Sequence, residues 1–156
     1  MNVKAFLVMA ALSATCMVAC KKDDDDMKND DVVAKTGLSI AGSQEVPAKT
    51  SSASGTLDVS YNKVSKMLTF TVNYKDLTGA ATGAHIHGVA ARGSNAGVKY
   101  DFHHLFPTTV SGTFTNTVAV DGTSLKEDSL LSGYYYVNIH TATNPGGEIR
   151  GQIEFK

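Results

Sequence analysis

A two-residue alternation from Thr56 to Tyr74 constrains the fold more than any other feature of this chain. Leu57, Val59 and Tyr61 alternate with Thr56, Asp58 and Ser60; beyond Asn62-Lys63, Leu68, Phe70, Val72 and Tyr74 alternate with Thr69, Thr71 and Asn73. A period of two puts every apolar member on one face of a strand, which a helix of 3.6 residues per turn cannot do. Two such runs about a short turn predict a β-hairpin with one buried face.

Shorter runs of the same kind fill most of the remaining chain. Gly37 to Val46 opens the domain, and Pro47 ends that strand or confines it to an edge. Further strands are expected from Gly83, at Val98 to Phe102, at Gly112 to Val120, at Tyr134 to His140 and at Glu148 to Phe155. One short helix is expected over Ser124 to Leu131, with Ser124 as N-cap, Glu127 three residues on and Gly133 as the stop. Trp is absent, and Gly, Val, Thr and Tyr recur. Seven or so strands in one domain predict an all-β, mainly antiparallel sandwich or flattened barrel with one short helix. Residues 36–156, roughly 120 in number, suffice for one core.

The N-terminus reads as an export segment. Lys4 is followed by an uncharged, mostly apolar run from Ala5 to Ala19, and then by Cys20. Met17-Val18-Ala19-Cys20 resembles a bacterial lipobox, with small Ala19 at the cut and Met17 where Leu is usual. The resemblance implies a signal peptide over 1–19 and a mature chain anchored to membrane through acyl chains, such as palmitate, on Cys20. The alternative is a plain secretory signal with incidental Cys16 and Cys20. Acylation of Cys20 would leave no thiol for a disulfide or a metal. Residues 20–35 form an acidic tether holding six Asp between Lys21 and Lys35; at about 3.3 Å per residue it spans up to roughly 50 Å. An acidic run after the lipidated Cys resembles the surface-export signal of bacterial lipoproteins. This implies an outer-membrane lipoprotein facing outward, or else a spacer facing the periplasm.

Other classes have little support. A net charge of −1 leaves no basic footprint for nucleic acid. No serine sits in a nucleophile elbow, and the Gly-rich stretch from Gly79 to Gly97 lacks the spacing and Lys of a phosphate-binding loop. Catalysis is not expected.

The side chains that carry chemistry are imidazoles. In Gly83-Ala84-His85-Ile86-His87-Gly88, strand geometry puts His85 and His87 on one face and Ala84 and Ile86 on the other. The bracketing glycines permit close approach at both ends. On the later strand Tyr136, Asn138 and His140 share a face, so His140 meets the first pair if the two strands are close. His103 or His104 would add a fourth nitrogen, although adjacent residues point to opposite faces of any strand. Such a cluster suits copper or zinc; otherwise the imidazoles bond backbone carbonyls and Glu148 and fix loops. Glu148 and Arg150 are expected on one face. Glu148 would orient a histidine and Arg150 would contact an anion, or the two would form a structural ion pair or strand-edge charge. Tyr134 and Tyr136 face outward and Tyr135 inward, giving either an aromatic platform or packed rings with bonded hydroxyls.

Four motifs carry a family resemblance: Gln44-Glu45-Val46-Pro47, Ala84 to Gly88, Tyr136 to Thr141, and Asn144-Pro145-Gly146-Gly147-Glu148-Ile149-Arg150-Gly151-Gln152. In this order they resemble the CHRD domain, named after chordin, over nearly all of residues 36–156. The resemblance implies an immunoglobulin-like barrel or sandwich, distantly similar to Cu/Zn superoxide dismutase. It also implies a binding or structural module with an envelope or extracellular protein or glycan as partner. The H-x-H strand is similar to the metal strand of the dismutases. Their dinuclear site uses six histidines and an Asp, and this chain has five histidines. A mononuclear copper or zinc site is therefore the alternative expectation, without dismutase activity.

Overall fold

The computed structural model describes residues 31–156. The signal peptide, Cys20 and the tether as far as Asp30 lie outside the described residues. Eight strands form one antiparallel sheet: β1 (Val32–Ala41), β2 (Ser54–Asn62), β3 (Met67–Lys75), β4 (Ala81–Gly88), β5 (Val98–Asp101), β6 (Gly112–Ala119), β7 (Tyr135–Thr141) and β8 (Ile149–Ile153). Their order across the sheet is β5-β4-β7-β8-β1-β2-β3-β6. The sheet curls into a half-barrel. Its two four-stranded halves join at a single residue pair, Ala41 with Arg150. Aromatic side chains draw the free edges together: the Phe102 ring, just past β5, stacks on Phe114 of β6 with centroids 5.5 Å apart, and Asn116 Nδ2 donates to the Tyr100 hydroxyl.

The expected hairpin is present. β2 and β3 pair without a break from Ser54–Lys75 to Asn62–Met67. Leu57, Tyr61, Leu68, Phe70 and Val72 are fully buried on its inner face. The turn runs on to Lys66, and Asn62 Oδ1 caps it by accepting the N–H groups of Val64 and Ser65. Outside, Thr69 pairs with Thr117 and Thr71 with Thr115 through their hydroxyls.

The first strand and the helix differ from expectation at their ends: β1 stops at Ala41, where the 3-10 turn Gly42–Gln44 begins, and does not reach Val46 and Pro47. β1 begins at Val32, inside the stretch read as tether, and pairs with β2 from Val32–Asn62 onward. Backbone pairing holds this segment while Ala34 and Lys35 stay exposed, so no buried alternation marks it. The helix is shorter than expected, α1 (Glu127–Leu131), and Ser124 does not cap it. Asp121 Oδ1 instead collects the N–H groups of Thr123, Ser124 and Leu125. Gly133, with φ of 76°, does end the helix and donates its N–H to Leu130 O. Among the described residues no helix is long and apolar enough to cross a membrane.

Candidate metal centre

β4 lies between β5 and β7, and its alternation follows the sequence. Ala84 and Ile86 are fully buried in the core, so His85 and His87 stand on the other face. Register places His85 opposite Asn138, His87 opposite Tyr136 and Gly83 opposite His140. Three imidazoles thereby converge: His85, His87 and His140 each offer one ring nitrogen, all within 4.8 Å of one another. Gly83 makes the room, since a Cβ there would lie 2.9 Å from His85 Cε1 and 3.1 Å from His140 Cδ2. With metal–nitrogen bonds of about 2.0–2.1 Å, nitrogens on one tetrahedral ion lie about 3.3–3.4 Å apart, so binding requires the most widely separated rings to close in by up to about 1.5 Å.

Backbone carbonyls set the protonation pattern of two rings. His87 Nδ1 lies 2.9 Å from Ala96 O and His140 Nδ1 2.9 Å from Pro145 O. A carbonyl only accepts, so each Nδ1 carries a proton, and on His87 the Nε2 lone pair is left for a ligand. This is the arrangement found around metal-ligating histidines. His85 Nδ1 lies 3.1 Å from His140 Nε2, and Asn138 Oδ1 lies 3.0 Å from the same atom. His87 Nε2 is buried and has no hydrogen-bond partner. Burial, and then the neighbouring His140, hold His85 below the ordinary imidazole pKa. Burial also lowers His87, against the opposing hydrogen bond to Ala96. Both rings are consequently neutral and able to donate an electron pair at neutral pH.

His103 and His104 do not join the cluster. They sit on a short 3-10 turn, where His103 Nε2 lies 3.2 Å from Ala81 O and His104 is exposed. Asn138 does reach a histidine, as its place on the strand face implies.

Glu148 and Arg150 form neither an ion pair nor a strand edge. Glu148 is fully buried; its carboxylate accepts from the hydroxyls of Ser51, Thr78 and Thr141 and from the Thr78 N–H. Burial alone would raise its pKa, and these donors bring it below the ordinary value instead. No histidine touches it. Arg150 is also buried, and donates to Ser94 O and Asn95 Oδ1. The tyrosines form no open platform. Tyr135 is fully buried with its hydroxyl accepting the Lys126 N–H, and Tyr136 is buried between Arg150 and His87.

Two features were not singled out as site residues by the sequence. Glu45 is buried with Oε1 unpartnered, and burial pushes its carboxyl up to about 7 despite the attraction of Arg150 and a hydrogen bond with Asn138. Its one hint was its place in the Gln44-Glu45-Val46-Pro47 motif. The loop from Ala90 to Gly97, legible only as a loop, lies over the outer face and supplies Ala96 O to His87.

The fold and this face of the sheet define an all-β module with a histidine-lined polar cluster. The CHRD domain family matches residues 37–153, and the chain belongs to it. At that level it is a binding or structural module. No curated protein and no solved structure matches the chain.

Proposed function

We propose that the protein is a non-catalytic binding module, tethered to the cell envelope through acyl chains on Cys20, and that its ligand is one copper or zinc ion held by His85, His87 and His140. The observation that carries the ligand is His87 Nε2, a buried acceptor with no partner, next to two further imidazole nitrogens. A buried polar atom left unpaired costs about 1–3 kcal/mol, and a metal ion would satisfy it. The donor set is three imidazole nitrogens, with the Asp101 carboxylate beside it at 3.7 Å from His85 Nε2; imidazole donors match the preferences of copper and zinc over those of calcium or magnesium. The lipobox-like Met17-Val18-Ala19-Cys20 and the acidic run after it support the tether.

Equilibrium dialysis against Cu²⁺ or Zn²⁺, with metal counted in the retained protein, tests the ligand. Wild type should retain close to one equivalent and His87→Ala far less; equal, negligible retention by both would refute it. Acyl labelling tests the tether: label should follow the membrane fraction and vanish in Cys20→Ala.

A further inference from the structure

Arg150 is a buried charge that the binding reading leaves unexplained. It is 1 % exposed and joins no ion pair among the described residues. An aliphatic side chain would fill the same space without the cost of desolvating a guanidinium. What the guanidinium adds is geometry, a fixed fork of donors and a flat face for a ring.

Both are used. Nη2 donates to Ser94 O at 2.6 Å and Nη1 to Asn95 Oδ1 at 3.1 Å. The guanidinium carbon lies 3.3 Å from the centroid of the Tyr136 ring. Strand β7 runs between β4 and β8, so Tyr136 has Arg150 on one side and His87 on the other. The rings of Tyr136 and His87 are parallel within 2°, centroids 4.9 Å apart. The Tyr136 hydroxyl accepts the Ala96 N–H, and Ala96 O accepts from His87 Nδ1. Of three consecutive loop residues, Ser94 and Asn95 thus hold Arg150, and Ala96 holds both Tyr136 and His87.

We infer that Arg150 is a positioning residue of the metal centre: it fixes the Ser94–Ala96 loop and clamps Tyr136 on His87, so that His87 presents Nε2 to His85 and His140. The inference rests on the binding reading above. It predicts a selective effect, because His140 takes its orientation from Pro145 O, on a different loop.

The test compares the intact protein with Arg150→Lys, which keeps the charge and loses the fork, and with Asn95→Ala, which removes from an exposed loop one acceptor of Arg150 and the Nδ2 donor to Val46 O. Long-range ¹H–¹⁵N imidazole spectra of metal-free protein read the tautomers. Wild-type His87 should be the Nδ1–H form; Arg150→Lys should show a mixture at His87 and an unchanged His140. Zn²⁺ affinity should fall by about 10–100-fold in Arg150→Lys, the range seen when groups supporting a metal ligand are lost, and by less in Asn95→Ala. Should Arg150→Lys fail to fold, Asn95→Ala carries both readouts. A folded variant with the wild-type tautomer and wild-type affinity overturns the inference. If wild type binds no metal, the binding reading fails, and the tautomer comparison still decides whether Arg150 positions His87.

Discussion

His85 Nδ1 and His140 Nε2 face each other at 3.1 Å, although the two residues are 55 positions apart in the chain. The pairing of β4 with β7 makes this contact, and a bound ion would take the place of the hydrogen bond between them. Loss of either ring should weaken Cu²⁺ and Zn²⁺ binding by more than about 100-fold, beyond the cost of losing a supporting group. His104→Ala should leave it unchanged, since His104 lies exposed outside the cluster. Calorimetric titration of His85→Ala, His140→Ala and His104→Ala makes the comparison.

Glu45 gives the fold a pH dependence of unusual sign for a carboxylate. Its folded pKa of about 7 lies above the ordinary 4.5, so between these values the native state binds a proton that the unfolded chain releases. Stability from this group is full below about pH 4.5 and is lost as pH rises through 7, about 3 kcal/mol in all. Thermal unfolding of wild type and Glu45→Gln across pH 4.5–8 should show the fall in wild type and a flatter profile in the variant.

Glu148→Ala should be severely destabilising. It strands the hydroxyls of Ser51, Thr78 and Thr141 and the Thr78 N–H around an empty space. A loss of about 3 kcal/mol or more follows, read as a melting temperature lower by about 10 °C. Metal affinity of the folded fraction should not change, because no histidine touches this carboxylate.

Phe102→Ala should cost about 3–5 kcal/mol, the range for a buried aromatic. Phe102 is 1 % exposed and packs on Phe70, Phe106 and Phe114, so its loss also loosens the closure between the free edges of the sheet. Chemical denaturation of the variant measures it.

The hairpin and the shared face of His85 and His87 were legible because alternation is local: a strand's own residues decide which way they point. The start of β1 at Val32 was not, since that segment is held by backbone bonds to β2 and buries little. Ser124 was a sound cap by type, yet Asp121 fixes the turn through the Thr123, Ser124 and Leu125 N–H groups, and the Tyr135 hydroxyl takes the Lys126 N–H that a Ser124 cap would have held. Glu148 and Arg150 defeated local reasoning altogether. Their partners come from Ser51, Thr78 and the Ser94–Ala96 loop, which only the assembled sheet brings near. The convergence of His140 on the first pair depended on β4 and β7 being neighbours, which the sequence posed as a condition and the strand order satisfies.

X-ray absorption at the zinc edge, on protein loaded with one equivalent of Zn²⁺, tests the central claim most directly. The account predicts a shell of nitrogen neighbours at about 2.0–2.1 Å with the scattering of three imidazoles. A spectrum with one imidazole or none, or one that the His85→Ala/His87→Ala double variant reproduces, would contradict it.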